Sequence, residues 1–107
     1  MQLDCTTSRL HIVFTDAEIN RMTLLTSLER DVEKIILDVH GMTCREAERF
    51  INNVVNITRG TCVVEIIHGY RHGTRIKEML RQRFLNPKII RIVGDQYNLG
   101  ITYLQPE

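Results

Sequence analysis

The sequence predicts a small two-layer α/β domain: an α+β sandwich with core order βαβαββ and a mixed four-stranded sheet, both helices lying on one face. Three observations predict it. Two short apolar runs, Ile35-Ile36-Leu37-Asp38-Val39-His40-Gly41 and Val63-Val64-Glu65-Ile66-Ile67-His68-Gly69, read as buried strands that stop at His-Gly. Each is followed within a few residues by an amphipathic helical pattern. Two further apolar runs, 89–93 and 101–104, close the chain with only a short turn between them. Right-handed crossovers then place both helices on the same face.

The elements follow in order. Residues 1–8 read as a polar tail and 10–14 as a short strand. Thr15-Asp16-Ala17-Glu18 has the form of a capping box, threonine at the cap and glutamate three residues on. Ile19, Met22, Leu25, Leu28 and Val32 follow at helix-like spacing, which predicts a helix over about residues 16–30. Residues 35–39 form the first core strand. Thr43-Cys44-Arg45-Glu46 is a second capping box, and Ala47, Phe50, Ile51, Val54 and Val55 line one face of the helix behind it until Arg59-Gly60. Residues 62–67 form the second strand, 68–73 a loop, and Ile76, Met79, Leu80 and Phe84 the apolar face of a second core helix that Asn86-Pro87 stops. Residues 95–100 make the closing turn.

A chain of 107 residues with 43% hydrophobic and 25% charged content suits one globular domain. No apolar stretch approaches the ~20 residues of a membrane span, and Met1-Gln2-Leu3-Asp4 does not open like a secretion signal. Cys5, Cys44 and Cys62 form an odd set without CxxC spacing, so free thiols and a cytoplasmic location are expected. The net charge of +1 conceals an asymmetry. Residues 1–40 hold four Lys/Arg against seven Asp/Glu, whereas residues 41–91 hold ten against four. The positive segment contains both His-Gly junctions and their helices, which favours a polyanionic partner over a merely solvated face.

Two parallel strands that end in His-Gly bring two imidazoles and two helix amino termini to one sheet edge, the edge where open α/β sheets bind ligands. Helix amino termini favour anions, so the simplest ligand is a phosphate. Asp38 and His40 are two apart on one strand and share a face, which lets the carboxylate orient the imidazole. With His68 as the second imidazole, one base and one acid are available for phosphodiester cleavage without a metal. Gly41, Gly69 and Gly73 can turn backbone amides toward phosphate oxygens. Arg71, His72, Thr74, Arg75, Lys77 and Arg45 can meet phosphate charge, and Tyr70 can stack on a base. The spacings His40/Cys44 and His68/His72 do not make a metal site, because the second spans a glycine loop and Cys62 begins the opposite end of its strand.

Both junctions also carry a family resemblance. Leu37-Asp38-Val39-His40-Gly41 matches the LDxHG motif that opens the small MutS-related (Smr) domain. Ile66-Ile67-His68-Gly69, the glycine loop and Thr74-Arg75-Ile76-Lys77 are similar to its second motif, HGxGxG. The resemblance runs over about residues 35–104, which makes 35–107 an Smr-like domain and 1–34 an amino-terminal extension of short strand plus helix. It implies an endonuclease that cleaves RNA or nicks DNA with low sequence specificity, with catalytic Asp38, His40 and His68. Nucleic acid is the implied partner, the ribosome one setting for it. No cofactor is required, and magnesium or manganese enters only if DNA is the substrate. The chain departs from the pattern at Arg71, where HGxGxG has glycine, and then continues His72-Gly73. Two alternatives stay open: a binding module that positions nucleic acid without cutting it, and a small interaction module.

Overall fold

The computed structural model describes residues 13–26, 32–58, 62–69 and 73–106. It shows an α+β domain with a mixed sheet. The described elements are α1 (Asp16–Ile19), β1 (Met22–Thr26), β2 (Val32–Asp38), α2 (Cys44–Ile57), β3 (Val63–Ile67), α3 (Arg75–Gln82), β4 (Ile89–Gly94) and β5 (Ile101–Pro106). The sheet order is β1-β2-β3-β5-β4, with β2 and β3 parallel and every other neighbouring pair antiparallel. The expected four-stranded βαβαββ arrangement is thereby corrected: the described elements run αββαβαββ and the sheet has five strands.

The extra strand replaces most of an expected helix. The first capping box forms, with Thr15 Oγ1 accepting from the Glu18 amide and Glu18 Oε1 from the Thr15 amide. The helix nevertheless ends at Ile19, and the chain turns at Asn20 into β1. Two competing patterns overlap here. Ile19, Met22 and Leu25 fit a period of 3.6, but Met22-Thr23-Leu24-Leu25-Thr26 also fits a period of two with β-branched threonines. The free edge of β2 decides the contest: Met22 and Leu24 pack against the core, while Leu25 stands half exposed. Of the expected strand over 10–14, residues 10–12 lie outside the described residues, and Val13 and Phe14 are not strand. Phe14 is buried instead, its ring edge-on to Phe50 at 5.7 Å.

The core lies between the sheet and α2 with α3. Ile35, Leu37 and Val39, Val64 and Ile66, and Leu104 alternate inward along β2, β3 and β5. They meet Ala47, Phe50, Ile51, Val54 and Val55 of α2 and Ile76, Met79 and Leu80 of α3, the two helical faces read from the sequence. Helix α2 starts on the second capping box, Thr43 with Glu46. At its carboxyl end Lys88 Nζ donates to the carbonyls of Asn56 at 2.8 Å and Thr58 at 3.2 Å. A cation there satisfies orphan carbonyls and opposes the negative end of the dipole. Asn86 Nδ2 reaches the side chains of Asn52 and Asn56 and ties the end of the α3 segment to α2. The β2–α2 and β3–α3 connections put the two helix amino termini at the carboxyl edge of β2 and β3.

Candidate functional site

A cleft of about 790 Å³ opens at that edge. Its walls come from the β2–α2 junction (His40, Gly41), the end of β3 (His68, Gly69), the start of α3 (Gly73, Arg75, Lys77) and the turn before β5 (Asn98, Gly100). Gly41, Gly69 and Gly73 have φ of 80°, 74° and 115°, a region costly for residues with a Cβ. The three glycines fall in the two strand-to-helix junctions around the cleft.

His40 is the exposed imidazole, its side chain 67% accessible. Its Nδ1 donates to Asp38 Oδ1, and its own amide also donates to that oxygen at 3.2 Å. The i, i+2 spacing makes this contact possible on one face of β2. Nδ1 is therefore committed to the carboxylate, which leaves Nε2 to exchange a proton with a ligand. Arg21 clasps the same turn from the segment between α1 and β1. Its Nη1 donates to the carbonyls of Asp38 and His40, both at 3.0 Å, and its carbonyl accepts from the Asp38 amide at 2.9 Å.

His68 differs in every respect. It is buried, at 7% exposure, and both ring nitrogens are engaged. Nδ1 donates to the Gly69 carbonyl at 2.8 Å, so Nε2 accepts from the Thr102 hydroxyl at 2.8 Å. Burial lowers its pKa, with Lys77 and Arg81 pushing the same way against the favourable Gly69 contact. The neutral ring follows. The β2–β3 register explains the contrast: Asp38 stands beside Ile67, so His68 falls beside Val39 and Gly69 beside His40. A Cβ on Gly69 would lie 3.8 Å from that of His40. One residue of offset puts the two imidazoles on opposite faces, although both line the cleft.

Of the other residues expected at the site, Arg75 and Lys77 line the cleft from the first turn of α3. Arg45 is exposed on the first turn of α2 and Thr74 Oγ1 donates to Glu78, but neither is part of the lining. Tyr70, Arg71 and His72 lie outside the described residues. Four residues were not anticipated: Arg21, Asn98, Gly100 and Thr102. The Gly100 carbonyl accepts from the amides of His68 and Gly69 at 2.9 and 3.1 Å. Asn98 Oδ1 accepts from the Gly100 amide at 2.9 Å, and Asp95 Oδ2 from the amides of Tyr97 and Asn98. Asp-x-x-Asn-x-Gly marks a turn in the sequence, but nothing local says that the turn lies against the His68-Gly69 backbone.

Among the described residues no group of three or more His, Cys, Asp or Glu is arranged to hold a metal ion, and no helix is long and apolar enough to cross a membrane. The arrangement gathers an oriented imidazole, two cationic side chains and two helix amino termini around one concavity. No protein-family model, curated protein or solved structure matches the chain.

Proposed function

We propose that the chain is an Smr-like nucleic-acid endonuclease, in which His40 is the acid–base group at a phosphate held in the cleft. The observation that carries this reading is the Asp38–His40 pair, exposed at a cleft that Arg75 and Lys77 also line. On RNA, His40 Nε2 takes the proton of a 2′-hydroxyl, whose oxygen attacks the adjacent phosphorus as the bond to the 5′-oxygen breaks, and the leaving 5′-oxygen takes a proton from water. Asp38 holds the tautomer and stabilises the imidazolium that forms. Arg75 and Lys77 offset charge that develops on the phosphoryl oxygens. His68, buried with both nitrogens engaged, holds Gly69 and β5 in position. Cleavage with low sequence specificity fits contacts directed at the backbone, which carries no sequence information. The setting proposed is cytoplasmic, with RNA, free or ribosomal, as the partner.

One observation favours a second reading, a nucleic-acid-binding module without cleavage. His40 is the one exposed imidazole among the described residues, whereas paired acid and base chemistry uses two proton-transfer groups. The deciding experiment incubates the purified protein with labelled single-stranded RNA in EDTA, beside His40→Ala and Asp38→Asn. Cleavage that leaves 2′,3′-cyclic phosphate ends and is lost in His40→Ala supports the endonuclease. Binding without cleavage, in EDTA and with magnesium or manganese added, supports the module.

A further inference from the structure

The turn between β4 and β5 carries two large apolar side chains into solvent beside the cleft. Tyr97 is 90% exposed and Leu99 62%, and they flank Asn98, which lines the cleft. Exposed apolar residues are ordinary when scattered. Leu85 and Ile90 are exposed too, but neither belongs to a segment that lines the cleft. The 95–100 turn is different because its backbone is held so firmly. The Asp95 carboxylate is consumed inward, by the Tyr97 and Asn98 amides at 2.9 and 2.8 Å and by the Tyr103 hydroxyl at 2.6 Å. The Asn98 side chain closes the turn onto Gly100, and Gly100 packs against Gly69, with only 3.1 Å from a Cβ at Gly100 to the Gly69 Cα. A rigid support therefore presents an aromatic ring that packs against nothing in its own core.

Cations lead from the cleft to this turn. Lys77 lines the cleft, and Arg81 follows it one helical turn along α3 on the same side. The Arg81 guanidinium lies directly on Gly94, the residue before Asp95, and its Nη2 fills the space a Cβ there would need. A path of positive charge that ends at an exposed ring matches a strand whose phosphates follow the cations and whose bases are free to stack. A duplex hides its base faces and cannot use the ring.

We propose that Tyr97, with Leu99 beside it, is the base-stacking platform of this site and selects single-stranded nucleic acid, with Lys77 and Arg81 carrying the backbone toward it. The inference rests on the nucleic-acid reading above. It is tested with the full chain by fluorescence anisotropy, using a short unstructured oligoribonucleotide and an abasic strand of the same length and charge. Tyr97→Ala is expected to weaken binding of the base-bearing strand by roughly 5- to 150-fold, the range of aromatic stacking on one base. It should leave the abasic strand unchanged, and Tyr97→Phe should restore affinity. Arg81→Gln should weaken both strands alike and reduce the slope of log affinity against log salt by about one. The platform is overturned if the wild type binds both strands equally, or if Tyr97→Ala costs the same on both. Salt-dependent binding that ignores Tyr97 sinks the platform alone; no binding of either strand sinks the nucleic-acid reading and the platform with it.

Discussion

Thr102 Oγ1 donates to His68 Nε2 at 2.8 Å, and this buried hydrogen bond joins β5 to the end of β3 beneath the cleft floor. Thr102 is fully buried, so neither partner can turn to water when the other is removed. Thr102→Val keeps the shape but leaves the ring nitrogen unsatisfied, at an expected cost of about 1–3 kcal/mol. Thr102→Ser restores the hydroxyl and should recover most of the loss. Urea midpoints at constant slope check both.

The same ring makes stability depend on pH. Burial holds the folded pKa of His68 below its ordinary value of 6.5, so between the two values the unfolded chain binds more protons than the folded one. The stabilisation is complete above the unfolded pKa and is lost as pH falls from there toward the folded one. Melting temperatures over about pH 8 to about pH 5, a range centred on ordinary histidine titration, should fall more steeply for the wild type than for His68→Gln. Parallel curves would remove His68 as the cause.

If the cleft cleaves RNA through His40, then His40→Ala should lower kcat by about 10²–10⁴, the usual share of one acid–base group. Asp38→Asn keeps the size of the side chain but no longer favours the imidazolium, so it should lower kcat with little change in KM. Arg21→Met acts through the His40 backbone and should be partial. Equal activity in all three variants would place the chemistry elsewhere.

Lys88 closes α2 from outside the helix. Lys88→Met removes the donor to the Asn56 and Thr58 carbonyls and should cost about 1 kcal/mol. The cleft lies at the opposite end of α2, so oligonucleotide affinity should be unchanged within error when the folded protein is titrated.

What could be read from the chain was local. Both capping boxes formed as their residues required, because the partners lie three residues apart and need only the first helical turn. The buried face of α2 was legible for the same reason, since a period of 3.6 over fourteen residues leaves no rival pattern. The Asp38–His40 contact was legible too, as residues two apart on a strand share a face. Where two periods overlapped, as in 22–26, a short window could not separate helix from strand.

The rest was settled by elements far apart in the chain. The unpaired edge of β2 made 22–26 a strand, because backbone groups there gained partners that a helix would have found within itself. The β2–β3 register separated two histidines that look equivalent in sequence, exposing one and burying the other, since side chains on a strand change face at every residue. Arg21 reaches the His40 turn, and Gly100 the His68 turn, only once the sheet is assembled. The sequence alone thus determines the helix starts, the core faces and the chemical types gathered near the two glycine junctions. Only the tertiary structure decides which imidazole is exposed and which is buried, because solvent access and strand register are properties of packed neighbours rather than of adjacent residues.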